Sequence, residues 1–137
     1  MMAFEGSPTS EQFVFDASAW PVLRVQVPAA ADDASVVAHL AEVARYHQRG
    51  PFSMVCELPR LVITNAVQRR LFAQARSDHQ RRFPGILRAV AIVTGQEWAL
   101  LSGIMRAIAW VAPPEQPVRI FSDVDHAMQW AHSVFVR

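Results

Sequence analysis

The sequence predicts a single α/β domain: a mixed, mostly parallel central sheet of about five strands with about four helices around it. Three observations predict it. Short apolar runs rich in β-branched residues alternate with longer segments whose apolar residues recur at helical spacing. Pro, Gly and cap-forming residues punctuate the joints between those segments. The length, 137 residues with 52% apolar, suits one domain with a core that needs no staples.

Taken in order, residues 1–11 hold Gly6, Ser7, Pro8, Thr9 and Ser10 and read as a flexible leader, so the domain is expected over 12–137. Residues 12–16 and 22–27 are short strand candidates joined by a turn over 16–21, which predicts an antiparallel pair. Asp32 or Asp33 caps a helix running to Arg49 and stopped at Gly50-Pro51, with Val36, Val37, Leu40, Val43 and Ala44 at helical spacing. His39, Glu42, Arg45 and Gln48 are expected to point elsewhere. Residues 52–56 are a wholly apolar strand of the kind buried on both faces, and 58–63 form a loop around Pro59. Thr64 or Asn65 caps a second helix that reaches Arg82 and ends at Pro84-Gly85; its apolar arc is Val67, Leu71, Phe72 and Ala75.

Residues 86–94 form the next buried strand, and 96–112 a third helix closed by Pro113-Pro114. The last strand is 118–121. Ser122 or Asp123 then caps a closing helix with Val124, Ala127, Met128, Ala131 and Val134 inward. Strands that alternate with helices imply parallel neighbours joined by right-handed crossovers.

This order, with particular residues, resembles the STAS and SpoIIAA-like domains of bacteria over residues 12–134. Three stretches carry the resemblance: the opening strand pair with its acidic turn, Asp16 to Trp20; MVCELPRLVITNAVQRR at Met54–Arg70; and RAIAWVAPPEQPVRIFSDVDHAMQWA at Arg106–Ala131. The resemblance implies the same architecture and a regulatory, protein-binding role without catalysis. In anti-sigma-factor antagonists of this kind, a phosphorylatable serine followed by glycine opens the helix after the central strand. Here that stretch reads Ile63-Thr64-Asn65-Ala66, so Thr64 is the one hydroxyl on offer as a phosphoacceptor, and an ordinary N-cap is its other reading.

Composition narrows the function classes. The net charge is +1, which supplies no global attraction to nucleic acid or anionic membrane. All thirteen basic residues are arginine. The single cysteine, Cys56, rules out a disulfide within the chain and fits a reducing compartment. Residues 1–15 lack a secretory signal pattern, and the most apolar stretch, 98–112, is too short to span a bilayer. A cytoplasmic protein is the expectation.

Catalytic motifs are absent from the sequence. The five glycines never form a phosphate-binding loop, and there is no nucleophile elbow. The five histidines include no i, i+4 pair, so neither a metal site nor a cofactor is expected. Cys56, mid-strand, reads as a buried small hydrophobe. Glu57, at the carboxyl end of a central strand, is the best single polar site residue, with pairing to Arg60 or capping of a backbone group as its structural alternatives. An enzyme is not expected.

Two surfaces remain. Arg69, Arg70, Arg76 and Arg81 flank the apolar arc of the second helix and offer a docking face for an acidic or phosphate-bearing partner; a merely solvated face is the alternative. The third helix is apolar around most of its girth, with Trp98, Leu101, Met105 and Trp110 beside Arg106. Aromatic and arginine anchors of this type suit an interface centre, so self-association as a homodimer is the leading expectation, with core burial as its alternative. A second class of function is carriage or sensing of a lipid or other apolar small molecule in a pocket lined by the surplus Trp, Phe, Met and Ile.

Overall fold

The computed structural model describes residues 12–59, 63–94 and 116–136. Among them the chain forms one five-stranded sheet and three helices. The strands are β1 (Val14–Asp16), β2 (Val22–Gln26), β3 (Phe52–Glu57), β4 (Leu87–Val93) and β5 (Val118–Phe121); the helices are α1 (Asp33–Arg49), α2 (Ala66–Arg82) and α3 (Val124–Ser133). The leader and the predicted third helix over 96–112 lie outside the described residues.

The sheet runs in sequence order from β1 to β5. Only the first pair is antiparallel, Val14 standing opposite Gln26 and Asp16 opposite Arg24. β2, β3, β4 and β5 are parallel neighbours. Register decides which residues share a face, because side chains alternate along a strand. Leu23 lies beside Met54, and Met54 beside Val90; Val22 lies beside Ser53, and Val55 beside Ala91.

The two faces carry separate cores. On one, Leu23, Val25, Phe52 and Met54 pack with Val43 of α1. On the other, Val22, Val55 and Ala91 pack with Ala127 and Ala131 of α3. Ala127 and Ala131 are wholly buried, so α3 approaches the sheet through its smallest residues, while Val124, Met128 and Trp130 seal the margins. β3 is buried on both sides from Phe52 to Val55 as expected, but the run is not wholly apolar: Ser53 is wholly buried within it.

Local chemistry sets the boundaries. Asp32 caps α1 by accepting from the Ser35 backbone N–H at 2.7 Å. Gly50 ends the helix at φ +123°, a conformation that favours glycine. Asn65, and not Thr64, caps α2, completing a capping box with Gln68. Asp123 caps α3.

The buried stripe of α1 differs from the expected one. It runs through Val36, His39, Val43 and His47, whereas Val37 is half exposed. Spacings of 3, 4 and 4 place those four on one side of a helix. The helix has rotated two imidazoles inward because the aromatic rings of the first core receive them. The arc expected on α2 is also only partly used: Val67 is exposed, Leu71, Phe72 and Ala75 are half buried, and the one fully buried residue is Gln68.

Candidate functional site

α1 packs on β2 and β3 through the side chain of Val43, and α2 is tied to α1 at its start. Gln68, 4% exposed, donates from Nε2 to the Ala31 carbonyl at 2.7 Å and to Asp33 at 3.0 Å. Asn65 Nδ2 also donates to Asp33. The Ile63 N–H donates to the Ala29 carbonyl at 2.7 Å, and Ala30 and Ile63 form a parallel bridge. These bonds tie the start of α2 to the start of α1, at the carboxyl end of the parallel strands.

Beyond that tie α2 has little with which to fill the space beneath it. Its sequence, AVQRRLFAQARSDHQRR, offers Phe72 as the one large apolar side chain on the inner side, with Ala73 and Ala75 beside it. Below lie Met54, Cys56, Val90, Ile92 and Val118 on the sheet. The result is a cavity of about 370 Å³ between α2, α1 and the sheet, reaching from Leu58 and Thr64 at one end to Phe83 and Gly85 at the other. Protein interiors pack at crystal density with few voids larger than a water molecule, so a space of this size is a feature of the fold.

The walls are mostly apolar, interrupted by three imidazoles and, at the margins, by Thr64, Arg69, Arg76, Gln80 and Gln116. His39 is stacked on Phe13, ring centroids 4.0 Å apart, and tilted against Phe72 at 5.9 Å. His47 meets Phe52 edge-on at 5.0 Å and faces the His79 ring at 4.3 Å, with Phe83 beside both. Burial pushes His39 down to about 4. Burial also pushes His79 down to about 4, with a further lowering from His47 and Arg82 against an opposing pull from Asp78. His47 is lowered by burial and held up in part by its bond to the Val43 carbonyl. All three are therefore neutral near pH 7, and the cavity carries no imidazolium.

Cys56 lines the same space. Burial, then the charge of Glu57, pushes its thiol up to about 12, which leaves it protonated and a poor nucleophile. Among the described residues no group of three His, Cys, Asp or Glu side chains is placed to hold a metal ion. No helix among them is long and apolar enough to cross a membrane.

The residues singled out from the sequence fall into three groups. Trp98, Leu101, Met105, Arg106 and Trp110 lie outside the described residues. The arginines are divided between two settings. Arg69 and Arg76 border the cavity, where burial lowers Arg76 from its ordinary value, while Arg81 pairs with Asp78 and Arg70 is exposed. Thr64 is exposed just before the cap, its carbonyl accepting from Arg69 Nη1 at 3.0 Å. Glu57 belongs to the opposite face, where it accepts from Arg24 Nε at 2.8 Å. That bond raises Arg24 above its ordinary value.

Sequence reasoning missed the histidines. The signal was present in the spacing 36, 39, 43, 47, but a polar residue type at positions 39 and 47 argues against a buried stripe until the aromatic neighbours are known. Comparison with known proteins adds no relative: no family model, no curated protein and no solved structure matches this chain.

Proposed function

We propose that this domain is a non-enzymatic regulatory module of the STAS and SpoIIAA-like kind that binds an apolar small molecule between α2 and the sheet. One observation carries the reading: the apolar cavity of about 370 Å³ that α2 leaves open over Met54, Cys56, Ile92 and Val118. Its size falls in the range of small-molecule sites, and apolar walls with a few polar groups are the usual makeup of such sites. Kinship with the STAS and SpoIIAA-like domains is supported by the element order, by the opening antiparallel pair and by the three stretches of sequence named above. It carries the further expectations of a cytoplasmic bacterial regulator with a protein partner.

The test is displacement of an apolar dye such as N-phenylnaphthylamine by fatty acids, with native mass spectrometry of the gently purified protein. Bound dye, released by competing ligand, is expected, and Ala73→Trp should abolish binding by filling the space beneath α2. A folded wild-type protein that binds no dye, or an A73W variant that binds as before, would overturn the reading. The same mass spectra test self-association through residues 96–112. A dimer that survives dilution and is lost in a Leu101, Met105 double polar variant would add an interface to the cavity.

A further inference from the structure

The charged groups that border the cavity are of one sign. Among the described residues no Asp or Glu lines it, whereas Arg69 and Arg76 do, in one stripe of α2 with Ala73 and Gln80. Spacings of 4, 3 and 4 keep these four on one side of the helix. The carboxylates nearest in the chain are engaged elsewhere: Asp33 accepts from Asn65 and Gln68, Glu57 accepts from Arg24, and Asp78 pairs with Arg81. The three imidazoles are neutral near pH 7 and add no charge of their own. An anionic group on a ligand therefore meets guanidinium here and no opposing carboxylate.

Arg69 stands at the end of the cavity marked by Leu58 and Thr64. Its Nη1 donates to the Thr64 carbonyl at 3.0 Å and lies 3.4 Å from the Thr64 hydroxyl. Both contacts fall on one nitrogen, and among the described residues no ion pair engages the side chain. A guanidinium has five N–H donors in a planar fork that matches the two oxygens of a carboxylate. Arg69 and Thr64 are exposed, so a charged head group at this end keeps part of its hydration. Beneath α2 the space is walled by Met54, Val90 and Ile92, where hydrocarbon is favoured and a charge is costly. We infer that the ligand of the cavity is an amphipathic monocarboxylic acid, whose carboxylate pairs with Arg69 at the Thr64 end and whose hydrocarbon body lies beneath α2. This rests on the cavity being a binding site, and it names the class of molecule that site selects.

The experiment compares decanoate with decanamide, which keeps the shape without the charge, and with decylammonium, which reverses the charge. Affinities are measured near neutral pH by dye displacement and calorimetry. Decanoate should bind about tenfold more tightly than decanamide, the size of a charge-assisted pair at a partly exposed site, and decylammonium most weakly. Added salt should narrow the gap between decanoate and decanamide. Arg69→Gln should take up dye and decanamide as the wild type does and lose the preference for decanoate; Arg69→Lys should regain part of it. In spectra of the wild-type protein, the Nε–H signal of Arg69 should move on addition of decanoate and not of decanamide, while the methyl signal of Met54 moves with both. Equal affinities for decanoate and decanamide, tighter binding of decylammonium, or an Arg69 signal that ignores decanoate overturns the carboxylate assignment while leaving the cavity reading intact. A preference that survives Arg69→Gln overturns the assignment to Arg69. Should that variant fail to fold, the wild-type spectra decide alone. A folded wild-type protein that takes up neither dye nor probes overturns both readings.

Discussion

His39 shows how a single side chain can be at once a core residue and a pH-sensitive one. It is 8% exposed, its Nδ1 is buried without a hydrogen-bond partner, and Phe13, Phe15 and Phe72 surround it. Burial favours the neutral ring, so the folded protein holds the proton less tightly than the unfolded chain does. That contribution to stability is fully present above the ordinary value of 6.5 and is lost as pH falls toward about 4. His79 loses its contribution over the same interval. The urea midpoint is expected to fall across this window, and His39→Phe should flatten part of the fall while leaving stability at neutral pH unchanged or raised, since the orphaned nitrogen is removed. Urea titrations of both proteins across that pH range check this; identical profiles would mean that His39 is not held neutral by the fold. Phe52 makes the complementary case for pure packing. It is wholly buried among Leu23, Met54 and Trp20, so Phe52→Ala should cost about 3–5 kcal/mol in equilibrium denaturation.

At the scale of an element, α2 is the part of the molecule whose stability owes most to its ends. Its interior is polar, and only Gln68 is fully buried, through bonds to Ala31 and Asp33. The Asn65 capping box and these ties hold the helix over the cavity without filling it. Asn65→Ala should therefore destabilise the protein by about 1 kcal/mol, the usual worth of an N-cap. The loss should be local: hydrogen exchange of amides in the first turns of α2 should speed up, while those of β3 and β4 stay slow. Uniform acceleration across the sheet would show that α2 and the sheet open as one unit. The caps of all three described helices were narrowed from the chain to one of two adjacent residues each, because a cap is a local property; the structure selects Asp32, Asn65 and Asp123. That Gln68 would be the buried member of α2 was not readable, since its partners stand more than thirty positions away.

For the molecule as a whole, the sheet is a shared wall between two cores of different character. The face under α3 is closed by alanines: Ala91 meets Ala127 and Ala131, all wholly buried. The face under α1 and α2 is built from larger side chains and contains the open space. A volume increase should therefore have opposite consequences on the two sides. Ala131→Leu, overpacking the closed face, should cost about 1–3 kcal/mol. Ala73→Trp, facing the cavity, should be neutral or stabilising in the same thermal denaturation measurement. If both substitutions destabilise alike, the space beneath α2 is not free to accept a side chain.

The sequence by itself determined the α/β class, the antiparallel start, the order of the elements along the chain and the ends of α1 and α2. These follow from local rules: periodicity, caps, and the prolines and glycines that interrupt them. Only the tertiary structure decided which histidines are buried, that Glu57 pairs with Arg24 across neighbouring strands, that Arg69 and Arg76 border a cavity, and that α2 stands away from the sheet. Each of these depends on residues far apart in the chain, and the sign of a side chain's preference, buried or exposed, changes with the partners that the fold supplies. His39 and His47 are polar in isolation and become core residues here because neutral imidazoles, stacked on aromatic rings, cost little to bury.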